Sequence, residues 1–147
     1  MSSEAMTPEA LARACADRMW STDRASQALG MEIVAVGPGT ATLTMPVTED
    51  MANGWEICHG GYIFTLADSA FAFACNSYGK VTVAQSNSIT YLAPGAVGDT
   101  LTATAREVAR TGRTGLYDVT VTREDGTAIA AFRGQSRTLD RQILAAP

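Results

Sequence analysis

Apolar residues between positions 7 and 22 recur at Leu11, Ala14, Cys15 and Met19, three or four apart, the spacing of one helix face. Thr7 and Pro8 stand where such a helix would start and Glu9 falls in its first turn, so the segment predicts a capped amphipathic helix. The period then changes. Met31 to Val36 and Ala41 to Met45 are short β-branched runs on either side of Gly37-Pro38-Gly39, which predicts a hairpin. A polar loop from Thr48 to Cys58, with a turn signal at Asn53-Gly54, leads into the Gly60–Cys75 run. That run is rich in Ala, Leu and Phe and is apolar on nearly every side, so it predicts one long helix enclosed by other structure, with Gly79 as its stop. Four alternating stretches follow: Val81 to Leu92, Thr100 to Val108, Leu116 to Thr122 and Thr127 to Arg137. The resulting β-β-α-β-β-β-β order predicts an α+β fold in which a curved antiparallel sheet wraps one central helix, with an extra helix at the N-terminus.

Composition narrows the function more than the fold. The chain has 147 residues, 46% hydrophobic and 18% charged, enough for one core and no internal repeat. A net charge of −4 offers no field for a phosphate backbone, so nucleic acid is not an expected partner. The longest apolar runs are a few residues, far short of the ~20 needed to span a bilayer, so no membrane partner is expected either. The first 20 residues carry Glu4, Glu9 and Asp17 and lack a basic segment leading into an apolar one, which makes a cytoplasmic protein the expectation. Three cysteines (Cys15, Cys58, Cys75) and a single histidine, His59, form neither a disulfide framework nor a zinc pattern, so no metal or cofactor is expected.

Two features carry candidate chemistry. Asp68 is the only acidic or basic residue between Gly60 and Gly79, in a helix that otherwise reads as buried. Burying a carboxylate costs several kcal/mol unless it is paired or hydrogen-bonded, so Asp68 is either a catalytic acid or a structural one facing a polar neighbour. His59-Gly60-Gly61 opens the same helix, where first-turn N–H groups are unpaired. The alternatives there are an oxyanion site and a plain glycine turn ordered by the histidine ring. Eight residues separate Gly60 from Asp68, about 12 Å at 1.5 Å per residue, so one carbonyl cannot touch both. If both serve one reaction, the donor turn of one chain must face the acid of another, as in two antiparallel helices across a two-fold axis. No nucleotide-cradling glycine loop and no Gly-x-Ser-x-Gly elbow occurs, and Cys58 and His59 are chain neighbours rather than a catalytic pair.

Asn53, Cys58-His59-Gly60-Gly61, Leu66-Ala67-Asp68-Ser69-Ala70 and Ala74-Cys75-Asn76-Ser77 resemble the hot-dog fold acyl-CoA thioesterases, most closely the phenylacetic acid degradation thioesterase family. Tyr91-Leu92-Ala93-Pro94-Gly95, Gly98 to Ala103, Gly115 to Val119 and Phe132 to Arg137 extend the resemblance over about residues 27–138. It implies a hot-dog domain at 27–140 between an N-terminal helical extension (1–26) and a C-terminal tail (141–147). It also implies a homodimer with sheets joined edge to edge, further paired as a tetramer. By similarity, Asp68 matches the catalytic carboxylate, Gly60 the backbone donor, Asn53 a polar side chain holding water or intermediate, and His59 the histidine that orders the turn. The implied activity is hydrolysis of an aryl-acetyl-CoA, such as phenylacetyl-CoA, with Asp68 either activating water or attacking the thioester. Gly61 is expected to assist the oxyanion, Tyr62 and Phe64 to line an acyl pocket, and Arg113 to meet a CoA phosphate. A non-catalytic acyl-CoA binding module is the alternative in another class, and Asp68 argues against it. A hydratase or dehydratase would need a histidine near an acid, and none follows Asp68.

Overall fold

The computed structural model describes residues 6–144. Residues 1–5 of the expected extension and 145–147 of the expected tail lie outside the described residues. Helix α1 spans Pro8–Trp20, with the Thr7 side chain accepting the Ala10 N–H as its N-cap. A short helix α2 (Arg24–Ala28), absent from the sequence reading, is capped by Asp23 and straddles the expected boundary at residue 26. The hairpin is present as β1 (Glu32–Gly37) and β2 (Thr40–Pro46), closed by Gly39 at φ +69°. A single 3₁₀ turn (Glu49–Met51) and an irregular loop lead into α3 (Gly60–Cys75). Strands β3 (Lys80–Tyr91), β4 (Thr100–Thr111), β5 (Thr114–Thr122) and β6 (Ala128–Gln142) complete the chain, β6 running two residues past the expected boundary at 140.

All strands pair antiparallel in one six-stranded sheet of order β1-β2-β4-β5-β6-β3. Helix α3 touches every strand of it. The core lies between Leu66, Ala67, Ala70, Phe71 and Ala74 on the helix and Leu43, Met45, Leu101, Ala103, Val119, Val121 and Phe132 on the strands, all essentially solvent-free. Helix α1 is part of the same body: Ala16 belongs to the core, and Trp20 meets Phe73 of α3 with ring centroids 6.2 Å apart.

One expectation about α3 is corrected. Gly79 does not stop it. The helix ends at Cys75, four residues earlier, where the Asn76 Nδ2 donates to the Ala72 carbonyl and the Ser77 hydroxyl to the Ala74 carbonyl. Gly79, at φ +101°, instead turns the chain into β3. The sheet and α1 enclose the helix on most sides and leave one narrow stripe. Gly61 is exposed and Thr65, Asp68 and Ala72 are half-buried, a stripe spaced three and four apart that neither the sheet nor α1 covers fully.

Candidate active site

The loop before α3 builds the first half of the site. The Asn53 Oδ1 accepts the N–H of Trp55 at 2.9 Å and of Ile57 at 3.4 Å, and the Asn53 carbonyl accepts the Glu56 N–H. The turn signal at Asn53-Gly54 is real, but the left-handed residue is Glu56 at φ +62° rather than the glycine. Because the Asn53 oxygen is committed to holding the loop, only its amide N–H groups remain for a ligand. The Cys58 N–H donates to the Gly95 carbonyl and the His59 N–H to the Met51 carbonyl, which fixes where the helix begins.

His59 is the N-cap residue of α3, and its Nδ1 accepts the Gly61 N–H at 2.9 Å. This decides which amide is available. Gly61 is taken by the imidazole and Tyr62 donates to the His59 carbonyl, whereas the Gly60 N–H has no acceptor among the described residues. The expectation that Gly61 assists an oxyanion is therefore corrected. At this end of α3 the macrodipole adds partial positive charge to the free Gly60 donor. The Tyr91 ring lies over Gly60, so a Cβ there would come within 2.9 Å of the Tyr91 Cζ, and the Tyr91 hydroxyl donates to the Gly60 carbonyl at 2.8 Å.

Asp68 projects from the half-buried stripe of the helix. Asn87 on β3 donates from Nδ2 to the Asp68 Oδ1 at 3.1 Å. Burial pushes the Asp68 carboxyl above the ordinary carboxylate range, and the Asn87 hydrogen bond pulls it partly back. The Asn87 Oδ1 is buried with no partner among the described residues.

The remaining sequence candidates separate. Tyr62 is half-buried with its ring edge-on to His59 at 6.3 Å, close to the donor turn. Phe64 instead packs edge-on against Phe132 at 5.5 Å, as a core contact. Arg113 sits at the β4–β5 turn, clamped by both Asp140 oxygens at 2.8 and 2.9 Å. It lines a cavity of about 350 Å³ with Cys75 and Tyr78, beyond the C-terminal end of α3 and so at the opposite end of the helix from Gly60. The structure does not bring it to the other candidates. Sequence reasoning missed Asn87 and the role of Tyr91. Among the described residues no three His, Cys, Asp or Glu side chains gather as a metal site, and no helix is long and apolar enough to cross a membrane. The cysteines are free and buried, with burial raising the Cys58 thiol and pushing Cys75 up to about 12.

Residues 56–130 match the thioesterase superfamily. The chain is 44% identical over 128 residues to the acyl-coenzyme A thioesterase PaaI of Escherichia coli, covering 87% of this chain and 91% of that protein. The solved structure of the E. coli PaaI protein from the phenylacetic acid degradation operon superposes with a TM-score of 0.91, covering 92% of this chain and 99% of that one. The PaaI phenylacetic acid degradation protein of Thermus thermophilus is 37% identical with a TM-score of 0.77, covering 80% of this chain and all of that one. A Streptococcus mutans protein solved with acetyl CoA is 31% identical with a TM-score of 0.73, covering 76% of this chain and 90% of that one.

Proposed function

The chain belongs to the thioesterase superfamily and is a thioesterase, and from that premise we propose that it hydrolyses an aryl-acetyl-CoA to the free acid and CoA in the cytoplasm. The E. coli relative's name supplies the acyl-CoA class, and the phenylacetic acid degradation context of two relatives supports phenylacetyl-CoA or a hydroxylated analogue in phenylacetate catabolism. Tyr62, edge-on to His59 beside the donor turn, supports an aryl acyl group as the one that stacks there.

The observation that carries the mechanism is that one helix presents both an unpaired N–H at Gly60 and a carboxylate of raised pKa at Asp68. Eight residues apart, about 12 Å along the axis, they act in one reaction only when two chains meet. The half-buried stripe at Thr65, Asp68 and Ala72, together with the unpaired outer edge of β3, supports a homodimer that covers both, paired again as a tetramer. In the dimer Gly60 of one copy donates to the thioester oxygen and Asn53 helps to hold the water or the intermediate. Asp68 of the second copy takes a proton from the attacking water. The water oxygen bonds to the carbonyl carbon, the C–S bond breaks, and the proton passes to the departing sulfur. A carboxylate raised by burial is a better proton acceptor than an unperturbed one, which suits Asp68 to water activation.

Release of free thiol from aryl-acetyl and straight-chain acyl-CoAs, measured for the wild type and Asp68→Asn side by side, tests this reading. The wild type is expected to turn over aryl-acetyl-CoA fastest and Asp68→Asn to lose at least about 100-fold in kcat while still binding substrate. Near-normal turnover by Asp68→Asn would remove the carboxylate from the mechanism, and fastest turnover of a straight-chain acyl-CoA would remove the aryl specificity.

A further inference from the structure

Both groups placed in the reaction are held by one face of one strand. Asn87 and Tyr91 lie four residues apart on β3, so their side chains point the same way and stand about 13 Å apart at 3.3 Å per residue. Gly60 and Asp68 are separated by about 12 Å along α3. The two spacings match, and the strand meets the helix at both points: Asn87 Nδ2 to Asp68 Oδ1 at 3.1 Å, and Tyr91 hydroxyl to the Gly60 carbonyl at 2.8 Å. Between them Ile89 packs against the core. We propose that Asn87 and Tyr91 are positioning residues, the first fixing the Asp68 carboxylate and the second fixing the donor turn at Gly60. The inference rests on the catalytic reading of Asp68 and Gly60 and deepens it.

A β-bulge makes this arrangement. Buried Thr82 starts the inward-facing series on β3, and strict alternation from it would turn Ser86 and Ser88 towards the helix. The register with β6 shifts between Ala84 and Ser86, so Asn87, Ile89 and Tyr91 face inward instead. Opposite Asn87 the sheet carries Gly134, over which the Phe71 ring lies closely enough that a Cβ would come within 2.7 Å. While Asp68 is ionised the Asn87 amide presents its NH2, because its oxygen turned towards the carboxylate would repel it. With Nδ2 committed to Oδ1, the other Asp68 oxygen has no partner among the described residues and is free for a water. The Asn87 Oδ1 is a buried acceptor without a partner among the described residues.

The two positions predict different kinetic signatures. Asn87→Leu keeps the branched shape and removes the donor, so burial acts on Asp68 unopposed and the acid limb of kcat/KM moves to higher pH. The ionisable groups nearest the helix face leave that limb to Asp68. Of Cys15 on α1, Asp23 before α2, Tyr91 on β3, Glu107 on β4, Tyr117 on β5 and Cys75 on α3, Cys75 is the one that interacts with Asp68, and there the carboxylate raises the thiol; burial and the Asn87 bond set the Asp68 carboxyl itself. A fall of about tenfold in kcat with KM within about twofold is expected, with partial return in Asn87→Ser, which restores a short donor. Tyr91→Phe keeps the ring and loses the hydroxyl, and is expected to lower kcat with the acid limb unmoved. An unchanged acid limb in both Asn87→Leu and Asn87→Ser, or a rise in KM at constant kcat, overturns the assignment of Asn87; wild-type kcat in Tyr91→Phe overturns that of Tyr91. Asp68→Asn in the same series separates the two levels: if it stays active, the catalytic reading falls and this inference with it, whereas an inactive Asp68→Asn beside wild-type profiles for both β3 positions sinks the inference alone.

Discussion

The His59 Nδ1 takes the Gly61 N–H at 2.9 Å and so leaves Gly60 as the free donor of the helix turn. The imidazole acts here as an N-cap, which needs an acceptor and no proton transfer. His59→Asn keeps such an acceptor and is expected to keep most of the turnover. His59→Ala is expected to lose about 1 kcal/mol of stability and to lower kcat more than it raises KM. Thermal unfolding and steady-state kinetics on the two variants check this; an inactive, fully folded His59→Asn would instead make the ring an acid or base.

A site divided between two chains predicts complementation. Asp68→Asn chains and Gly60→Pro chains each lack one half, proline at the first helical position removing the donor N–H while tolerating the helix. Tyr91, whose ring lies over Gly60 but is itself about half exposed, must swing outward to admit the proline ring. Random exchange of subunits makes half of the dimers mixed, each with one intact and one doubly broken site, so about a quarter of wild-type activity is expected to return. Thiol release after co-refolding of the two inactive proteins measures it, and no recovery would place both groups in one chain.

The elements were legible because the chain punctuates them clearly. Gly37-Pro38-Gly39 marks the first hairpin, Thr7-Pro8 marks the start of α1, and the Ala- and Phe-rich run Gly60–Cys75 is helix from end to end. Asp68 stood out as a lone charge in an apolar helix. What stayed hidden depends on contacts between distant segments. Asn87 faces Asp68 only because of a bulge that period-two alternation cannot register, and the loss of Gly61 as a donor depends on a ring orientation. Arg113 shows the reverse: a cation on a turn reads as available for phosphate, while in the fold Asp140, 27 residues on, pairs with it.

Gly134 couples packing to the site. A methyl group there would meet the Phe71 ring at 2.7 Å, and that ring is itself held between Tyr117 and Phe132 at 5.6 and 5.8 Å. Gly134→Ala is expected to cost about 1–3 kcal/mol by overpacking. Because Gly134 pairs with Asn87, the substitution should also shift the acid limb of activity, which a stability loss elsewhere in the sheet would not do. Unfolding curves together with a pH profile test both effects.

Thiol chemistry is expected to be silent. Cys58 adjoins His59, but burial raises its thiol and the Asp99 charge adds to the effect, while Cys75 is pushed up to about 12. At neutral pH neither carries appreciable thiolate, which is the reactive form. Treatment of the folded protein with an alkylating reagent should leave turnover within about twofold, and Cys58→Ala should match the wild type. Rapid inactivation with single modification at Cys58 would reopen covalent catalysis.

Asp68 should cost the fold stability at the pH where it works. Its carboxyl titrates higher in the folded chain than in the unfolded one because burial disfavours the anion. Between those two values the folded state holds more protons, so stability falls as pH rises through the window and stays lower above it. Asn at this position keeps an oxygen to accept from Asn87 Nδ2 and never ionises. Asp68→Asn is therefore expected to unfold at a higher temperature than the wild type at pH 7, and the gap should close as pH falls below the unfolded-state carboxylate value of about 3.9. Melting curves of the two proteins across pH 3 to 8 decide it. A gap that is absent at pH 7 would mean that the carboxylate is already compensated within the fold, and that its retention owes nothing to a trade of stability for activity.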